Sequence, residues 1–168
     1  MQTSLCGRAR RFGDDVTTDA IMPSKYLTMY LSPEELAVHT LEGADPDFPK
    51  RVQPGDLVVG GKNFGCGSSR EEAVLGLLAT RISCIVAESF GRIFYRNAIN
   101  RGLLVVECPG VGDQVAEGED LELRPQEGIL RNLTRGMDLN VYPLSATAAA
   151  ILDAGGLLPY IKSQISEE

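Results

Sequence analysis

The sequence predicts an α/β domain: a partly parallel sheet with helical crossovers, joined to a β-rich portion. Three observations predict it. Short, uninterrupted apolar runs recur at 56–61 (DLVVGG), 84–90 (CIVAESF) and 102–108 (GLLVVEC), as in strands buried on both faces. Helical signals separate these runs, and the resulting β-α-β-α-β order favours parallel strands joined by crossovers. Short alternating segments with turn residues follow at 120–134 and 137–143.

Each element has its own signal. SPEELAVHTLEG (32–43) predicts a helix with Ser32 as its cap, Pro33 in the first turn and Gly43 past its end. SSREEAVLGLLATR (68–81) carries a helical stripe of Val74, Leu75, Leu77 and Leu78, weakened by Gly76. SFGRIFYRNAINRG (89–102) predicts a short helix on Ile93, Phe94 and Ala98, closed by Gly102. SATAAAILDAGG (145–156) predicts a helix capped by Ser145 and ended by Gly155. No repeat, low-complexity tract or linker interrupts the chain, so residues 1–168 are read as a single domain, long enough for a real core.

Composition narrows the function classes. A formal net charge of -7 argues against nonspecific affinity for nucleic acid or anionic membrane, while leaving room for a local basic pocket. No apolar run reaches the length of a membrane span. The first residues are basic but lack an apolar stretch, so the expectation is no secretory signal and a reduced cytoplasmic location. The NLT at Asn132 then reads as an accidental sequon. Cys6, Cys66, Cys84 and Cys108 form no C-x-x-C pair and His39 is the only histidine, so no metal site is expected from this chain alone.

The chemistry concentrates in GKNFGCGSSREEAV (61–74). Ser69 and Glu72 match the S-x-x-E capping box. That leaves Ser68, Arg70 and the glycines unexplained. Gly65 and Gly67 allow positive φ and close backbone approach, successive N–H groups at a helix start favour an anion, and Arg70 adds a fork of donors. Together they describe an anion-holding site with a hydroxyl at its centre. A P-loop fails because Asn63 follows Lys62. A dinucleotide fingerprint fits at Gly65 and Gly67, with Glu88 near the ribose-binding position, but its third glycine is Arg70. Cys66 as a nucleophile lacks a local base, and a small loop cysteine is the plainer reading. Asp14, Asp15 and Asp19 suit turns and caps rather than a metal, and a solvated helix face is the default for Arg92 and Arg96.

NFGCGSSREEA (63–73), ESFGRIFYRNAINRGLL (88–104), GDDVTTDAIMP (13–23) and ILDAGGLLPYIK (151–162) closely resemble the small-subunit family of 3-isopropylmalate dehydratase, in the aconitase superfamily. One departure is Glu72, where the family often has histidine. The resemblance implies a swivelling β/β/α domain, like the aconitase C-terminal domain, that closes over a larger subunit carrying a [4Fe-4S] cluster. It implies a hydro-lyase of leucine biosynthesis, active only with that subunit, acting on a 2-hydroxy dicarboxylic acid. Motif matching makes Ser68 the general base and sets Ser69, Arg70 and Gly67 around substrate carboxylate. A serine base must be stabilised as an alkoxide at about 1.36 kcal/mol per pKa unit. A helix end supplies at most ~2 kcal/mol, so Arg70 and several N–H donors are needed as well.

The stretch PSKYLTMYLSPEEL (23–36) corresponds to the family's loop over the variable end of the substrate. Tricarboxylate relatives resemble YLRT there. This chain has Thr28 at the arginine position, between Leu27 and Met29. An unpaired third carboxylate would be costly there, whereas an isopropyl group gains about 1.5–3 kcal/mol from burial. Lys25 reads as a surface lysine, and core packing is the alternative for Leu27 and Met29. Dimethylmalate and homocitrate-type acids remain open as substrates, as do a nucleotide-binding module and a non-catalytic subunit.

Overall fold

The structure, a computed structural model, describes residues 3–27, 29 and 31–166. In chain order it contains β1 (Leu5–Arg11), α1 (Thr18–Ile21), a 3-10 turn (Ser24–Tyr26), α2 (Pro33–Ala37) and α3 (Phe48–Arg51). Next come β2 (Leu57–Gly60), α4 (Glu71–Ala79), β3 (Cys84–Ala87), α5 (Arg92–Asn100), β4 (Val105–Glu107) and α6 (Val111–Gln114). The chain continues through β5 (Asp120–Arg124), β6 (Ile129–Asn132), β7 (Met137–Asn140), α7 (Ala146–Asp153) and α8 (Leu157–Ser166).

Among the described residues the strands form a seven-stranded sheet ordered β4-β3-β2-β1-β5-β6-β7. The first four are parallel and the last three join antiparallel. The predicted runs are central strands because both of their faces are covered. Val58, Ile85 and Val105 face a helix-side core with Leu77, Phe94 and Ile151. Their neighbours Leu57, Val59, Cys84, Val86 and Val106 face a second core with Leu121, Leu123, Leu130 and Leu139 of the antiparallel strands. Helices, parallel strands and the β5–β7 meander therefore stack in layers, the β/β/α arrangement implied by the resemblance.

β1 is the element that the sequence does not announce. Its run LCGRARR is too basic to read as a central strand, yet it is the seam of the sheet. Its first half pairs antiparallel with β5, and its second half pairs parallel with β2. The cations are tolerated because they are answered on the spot. The Arg10 guanidinium donates to the buried Asp56 at 2.6 Å, and Arg11 donates to the Gly112 carbonyl at 2.6 Å. Removing one partner of such a buried pair typically costs about 3–5 kcal/mol. α8 was likewise not anticipated as a helix of its own; Leu157 and Tyr160 seat it on the helix-side core.

Two predicted helices are corrected at their ends. α2 stops at Ala37, well short of the predicted end before Gly43, because Leu41 turns left-handed (φ 59°) to donate its N–H to the Ile21 carbonyl at 2.7 Å. α4 begins at Glu71, one residue later than a Ser69 cap would start it. Gly76 within α4 marks close packing, since an added Cβ would lie 2.4 Å from Thr40 Oγ1. Asn132 is fully buried on β6 and donates to Glu119 at 2.7 Å, so its amide is engaged. No described helix is long and apolar enough to cross a membrane.

Candidate active site

Loops leaving the carboxyl ends of parallel strands are where α/β sheets build their sites, and the serine loop leaves β2 at that edge. Residues 12–18, which leave β1, run beside it. Asp15 N–H donates to the Lys62 carbonyl, Gly65 N–H to the Val16 carbonyl and Thr18 N–H to the Cys66 carbonyl, at 2.8, 2.7 and 2.8 Å. The three aspartates belong to this zipper. Asp14 accepts from Lys62 N–H at 2.8 Å, Asp15 accepts from the Asn63 amide at 2.9 Å, and Asp19 accepts from Ser24 N–H at 3.0 Å. Asp19 makes a local turn bond, whereas Asp14 and Asp15 tie together loops 48 positions apart, which a turn-and-cap reading does not anticipate.

Beneath the loop lies an aromatic floor of Phe64, Phe90 and Phe94, with Phe64 edge-on to both of the others. Gly65 rests directly on it: its φ is 76°, and a Cβ there would come within 2.2 Å of Phe94. Gly67, at φ 104°, turns the chain outward beside Thr17 and Thr18, where a Cβ would lie 3.4 Å from Thr18 Oγ1. Ser68 and Ser69 follow as exposed residues, and their backbone is pinned where Thr18 Oγ1 donates to the Ser68 carbonyl at 2.8 Å.

The capping-box expectation is overturned. The N-cap of α4 is Arg70, in extended backbone (φ -136°, ψ 107°), and no side chain caps the helix. Ser69 lies one residue too early. Its hydroxyl instead receives a long 3.5 Å hydrogen bond from the Asn97 amide. The cause is long-range. Arg70 is drawn away from helical geometry by its own bonds, with Nη1 donating to Asp19 at 2.5 Å and to the Met22 carbonyl at 2.9 Å. The amide donors opening α4 are thus left without a side-chain cap, next to two hydroxyls and a guanidinium. The hydrogen bond from Arg70, ahead of that from Ser24 N–H, holds the Asp19 carboxyl below its ordinary range.

Arg70 also links the two predicted parts of the site, because Met22 is the root of the 23–31 loop. Within that loop Leu27 packs on the helix-side core and Met29 is 56% exposed. Thr28 lies outside the described residues. Lys25 points to Glu42 at 3.2 Å and lies over the Tyr26 ring. His39 stacks on Tyr26 and also contacts Glu42.

Sequence reasoning missed Thr18 and the loop-binding role of Asp19, both inside the quoted 13–23 segment. The cysteines do not assemble a metal site. Cys84 and Cys108 are buried, with both thiols pushed up by burial, Cys108 to about 11 with help from Glu88. Cys6 is exposed and Cys66 half-buried in the loop. Among the described residues no group of three or more His, Cys, Asp or Glu could hold a metal ion.

Comparison with known proteins places this geometry. The profile of the aconitase C-terminal domain family matches residues 30–110. The chain is 54% identical to the isopropylmalate/citramalate isomerase small subunit of Methanocaldococcus jannaschii, over 99% of both chains. It is 53% identical to 3-isopropylmalate dehydratase small subunit 1 of Methanopyrus kandleri, covering 98% of this chain and 96% of that one. It is also similar to the crystal structure of a 3-isopropylmalate dehydratase from Methanocaldococcus jannaschii, with a TM-score of 0.92 and 42% identity over 96% of this chain and 95% of that one. With near full-length identity to these relatives and the same fold, the chain belongs to the small-subunit family of 3-isopropylmalate dehydratase within the aconitase superfamily.

Proposed function

We propose that this chain is the serine-bearing half of an isopropylmalate isomerase, a hydro-lyase that interconverts 2- and 3-isopropylmalate in leucine biosynthesis. Small subunits of this family work with a large subunit, which here is read as the holder of a [4Fe-4S] cluster. When bound there, the cluster supplies Lewis acidity toward substrate oxygen. Scattered cysteines suit this chain to no such role, so its own contribution is made by side chains.

Ser68 Oγ takes the proton from the carbon next to the hydroxyl-bearing one. The C–H electron pair becomes the double bond as the C–O bond breaks, and the oxygen leaves with that bond's pair at the hydroxide level while the proton stays on Ser68 Oγ. Return of that proton to the carbon that lost the oxygen, with addition of hydroxide at the carbon that lost the proton, completes the isomerisation. Ser69 Oγ, the Gly67 backbone and Arg70 hold the carboxylate. Both in-chain contacts of Arg70 use Nη1, so those contacts do not occupy the Nε–Nη2 edge, which can meet a ligand. One observation carries this reading: Ser68 stands exposed beside a half-buried Arg70 at a helix start left uncapped, on the sheet edge where ligands bind. Closure against the partner removes water and strengthens each of these interactions.

Substrate choice is assigned to the 23–31 loop, with Met29, Leu27 and Thr28 meeting the apolar end of the substrate. The Methanocaldococcus relative is named for citramalate as well as isopropylmalate. Citramalate carries a smaller apolar group, and the same loop, without an arginine at Thr28, suits it. The test is reconstitution with the large subunit and a substrate panel of isopropylmalate, citramalate, dimethylmalate and homocitrate. Turnover of isopropylmalate that disappears in Ser68→Ala is the expected result. Preference for the tricarboxylate would refute the assignment of the loop, and full turnover by Ser68→Ala would refute the base.

A further inference from the structure

A second recess, of about 350 Å³, opens on the same sheet edge, on its β4 side. It lies between the first turn of α5, the end of β4 and residues 142–144. It adjoins the serine loop, because Phe90 packs on Phe64 and the Gly91 N–H donates to the Phe64 carbonyl at 2.9 Å. Phe90, Val106 and Leu144 give it apolar walls, and Arg92 and Arg96 stand one helical turn apart on its α5 side.

These arginines differ from most in the chain. Arg10, Arg70, Arg131 and Arg135 each have a carboxylate at hydrogen-bond distance. Arg92 and Arg96 are exposed, and their side chains form no ion pair or hydrogen bond among the described residues. In a chain of net charge -7, carboxylates are plentiful, yet none among the described residues lies at ion-pair distance from this pair. Glu107 also lines the recess, with Tyr95, whose phenol is pushed up by burial and by Glu107 and so stays protonated. Two arginines against one glutamate leave the lining net positive. Tyr142, in the lining, is 58% exposed, and Ile93, next to Arg92 on α5, is 51% exposed.

We infer that this recess is a docking site for the large subunit, and that it receives a segment in which a carboxylate stands beside an apolar side chain. The inference rests on the heteromeric reading above. The arginines select the acid, and the apolar walls with Ile93 and Tyr142 select its neighbour. Glu107 disfavours a compact polyanion such as phosphate. The position is the one an assembling partner must cover, since the substrate has to be enclosed beside Ser68.

The experiment measures association of the full chain with its own large subunit by calorimetry, together with kcat at saturating small subunit. Arg92→Glu/Arg96→Glu is expected to weaken association by about 10- to 100-fold, and the Gln/Gln pair by less. The gap between variant and wild type shrinks as salt rises from about 0.05 to about 0.5 M. At saturation the variant recovers wild-type kcat, and Arg81→Glu, a control at an exposed cation outside the recess, binds normally. Normal association of the Glu/Glu variant would overturn the inference. So would unchanged affinity with lost kcat, which would make the arginines part of the site. A wild-type chain that fails to associate at all would instead overturn the heteromeric reading, and the docking site with it.

Discussion

Two helix entrances in this chain carry the same pattern, Ser-x-x-Glu, and only one of them is a cap. At α2, Ser32 Oγ accepts from Glu35 N–H at 3.2 Å while the Glu35 carboxylate accepts from Ser32 N–H at 2.7 Å, a complete capping box. At α4, Ser69 and Glu72 make neither bond, and the helix starts at Glu71 behind an extended Arg70. The local chemistry is the same, so the difference comes from long-range bonds. Thr18 holds the Ser68 carbonyl, and Asp19 with the Met22 carbonyl holds Arg70. A cap is a local device that stabilises a helix. Where the fold overrides it, the free donors and hydroxyls become available to a ligand. The two serines should therefore fail in different ways when replaced.

The largest expected effect tests the open entrance. Ser68→Ala should lower kcat of the reconstituted enzyme by about 10²- to 10⁴-fold, the range for a lost general base, with little change in unfolding free energy. An active Ser68→Ala enzyme would remove chemistry from the comparison altogether. Next comes Arg70→Lys. A lysine cannot span Asp19, the Met22 carbonyl and a carboxylate at once, so kcat/KM should fall by about 100-fold, as for a misplaced site. Asp19→Asn sharpens this, since it keeps the guanidinium but weakens its anchor. Its loss should be smaller than that of Arg70→Lys, in steady-state assays on both variants.

Urea unfolding then compares the caps directly. Ser32→Ala should cost about 1 kcal/mol, the usual loss for a serine cap, and leave kcat unchanged. Ser69→Ala should stay within about 0.5 kcal/mol, as for an exposed residue outside any cap, and raise KM. Equal stability losses at the two sites would mean that Ser69 caps α4 in solution, and the distinction between the entrances would collapse.

How far the sequence reveals this follows the same division between local and long-range causes. β2, β3 and β4 were legible because burial on two faces leaves a continuous apolar run. β1 was not, because its arginines find partners about 46 and 101 positions away, in Asp56 and Gly112. The serine loop was legible from its composition and spacing. Its geometry was not: Thr18, Asp19 and Met22 approach it across some fifty residues, and no local pattern encodes that approach. Motifs gave the inventory of the candidate site, and the tertiary contacts decided which serine would be a cap.

The smallest effect concerns the capped side alone. Glu42 lies just beyond α2, where it accepts from the Tyr26 hydroxyl at 2.7 Å and contacts Lys25 and His39. Burial pushes its carboxyl up, but hydrogen bonds from Tyr26, His39 and Lys25 outweigh burial and hold it below its ordinary value of 4.5. A carboxyl depressed on folding adds stability that is present in full above the unfolded value. That stability is lost as pH falls through the lower folded one. The wild-type chain should therefore lose stability on acidification below about pH 4.5 more steeply than Glu42→Gln, which has no carboxyl to protonate. Unfolding curves for both at several pH values measure the difference. Because Glu42 ties Tyr26, at the base of the 23–31 loop, to the segment after α2, the effect should appear in stability and leave the Ser68 chemistry untouched at neutral pH. A Glu42→Gln enzyme with altered kcat at neutral pH would show that the capped and open regions are coupled through that loop.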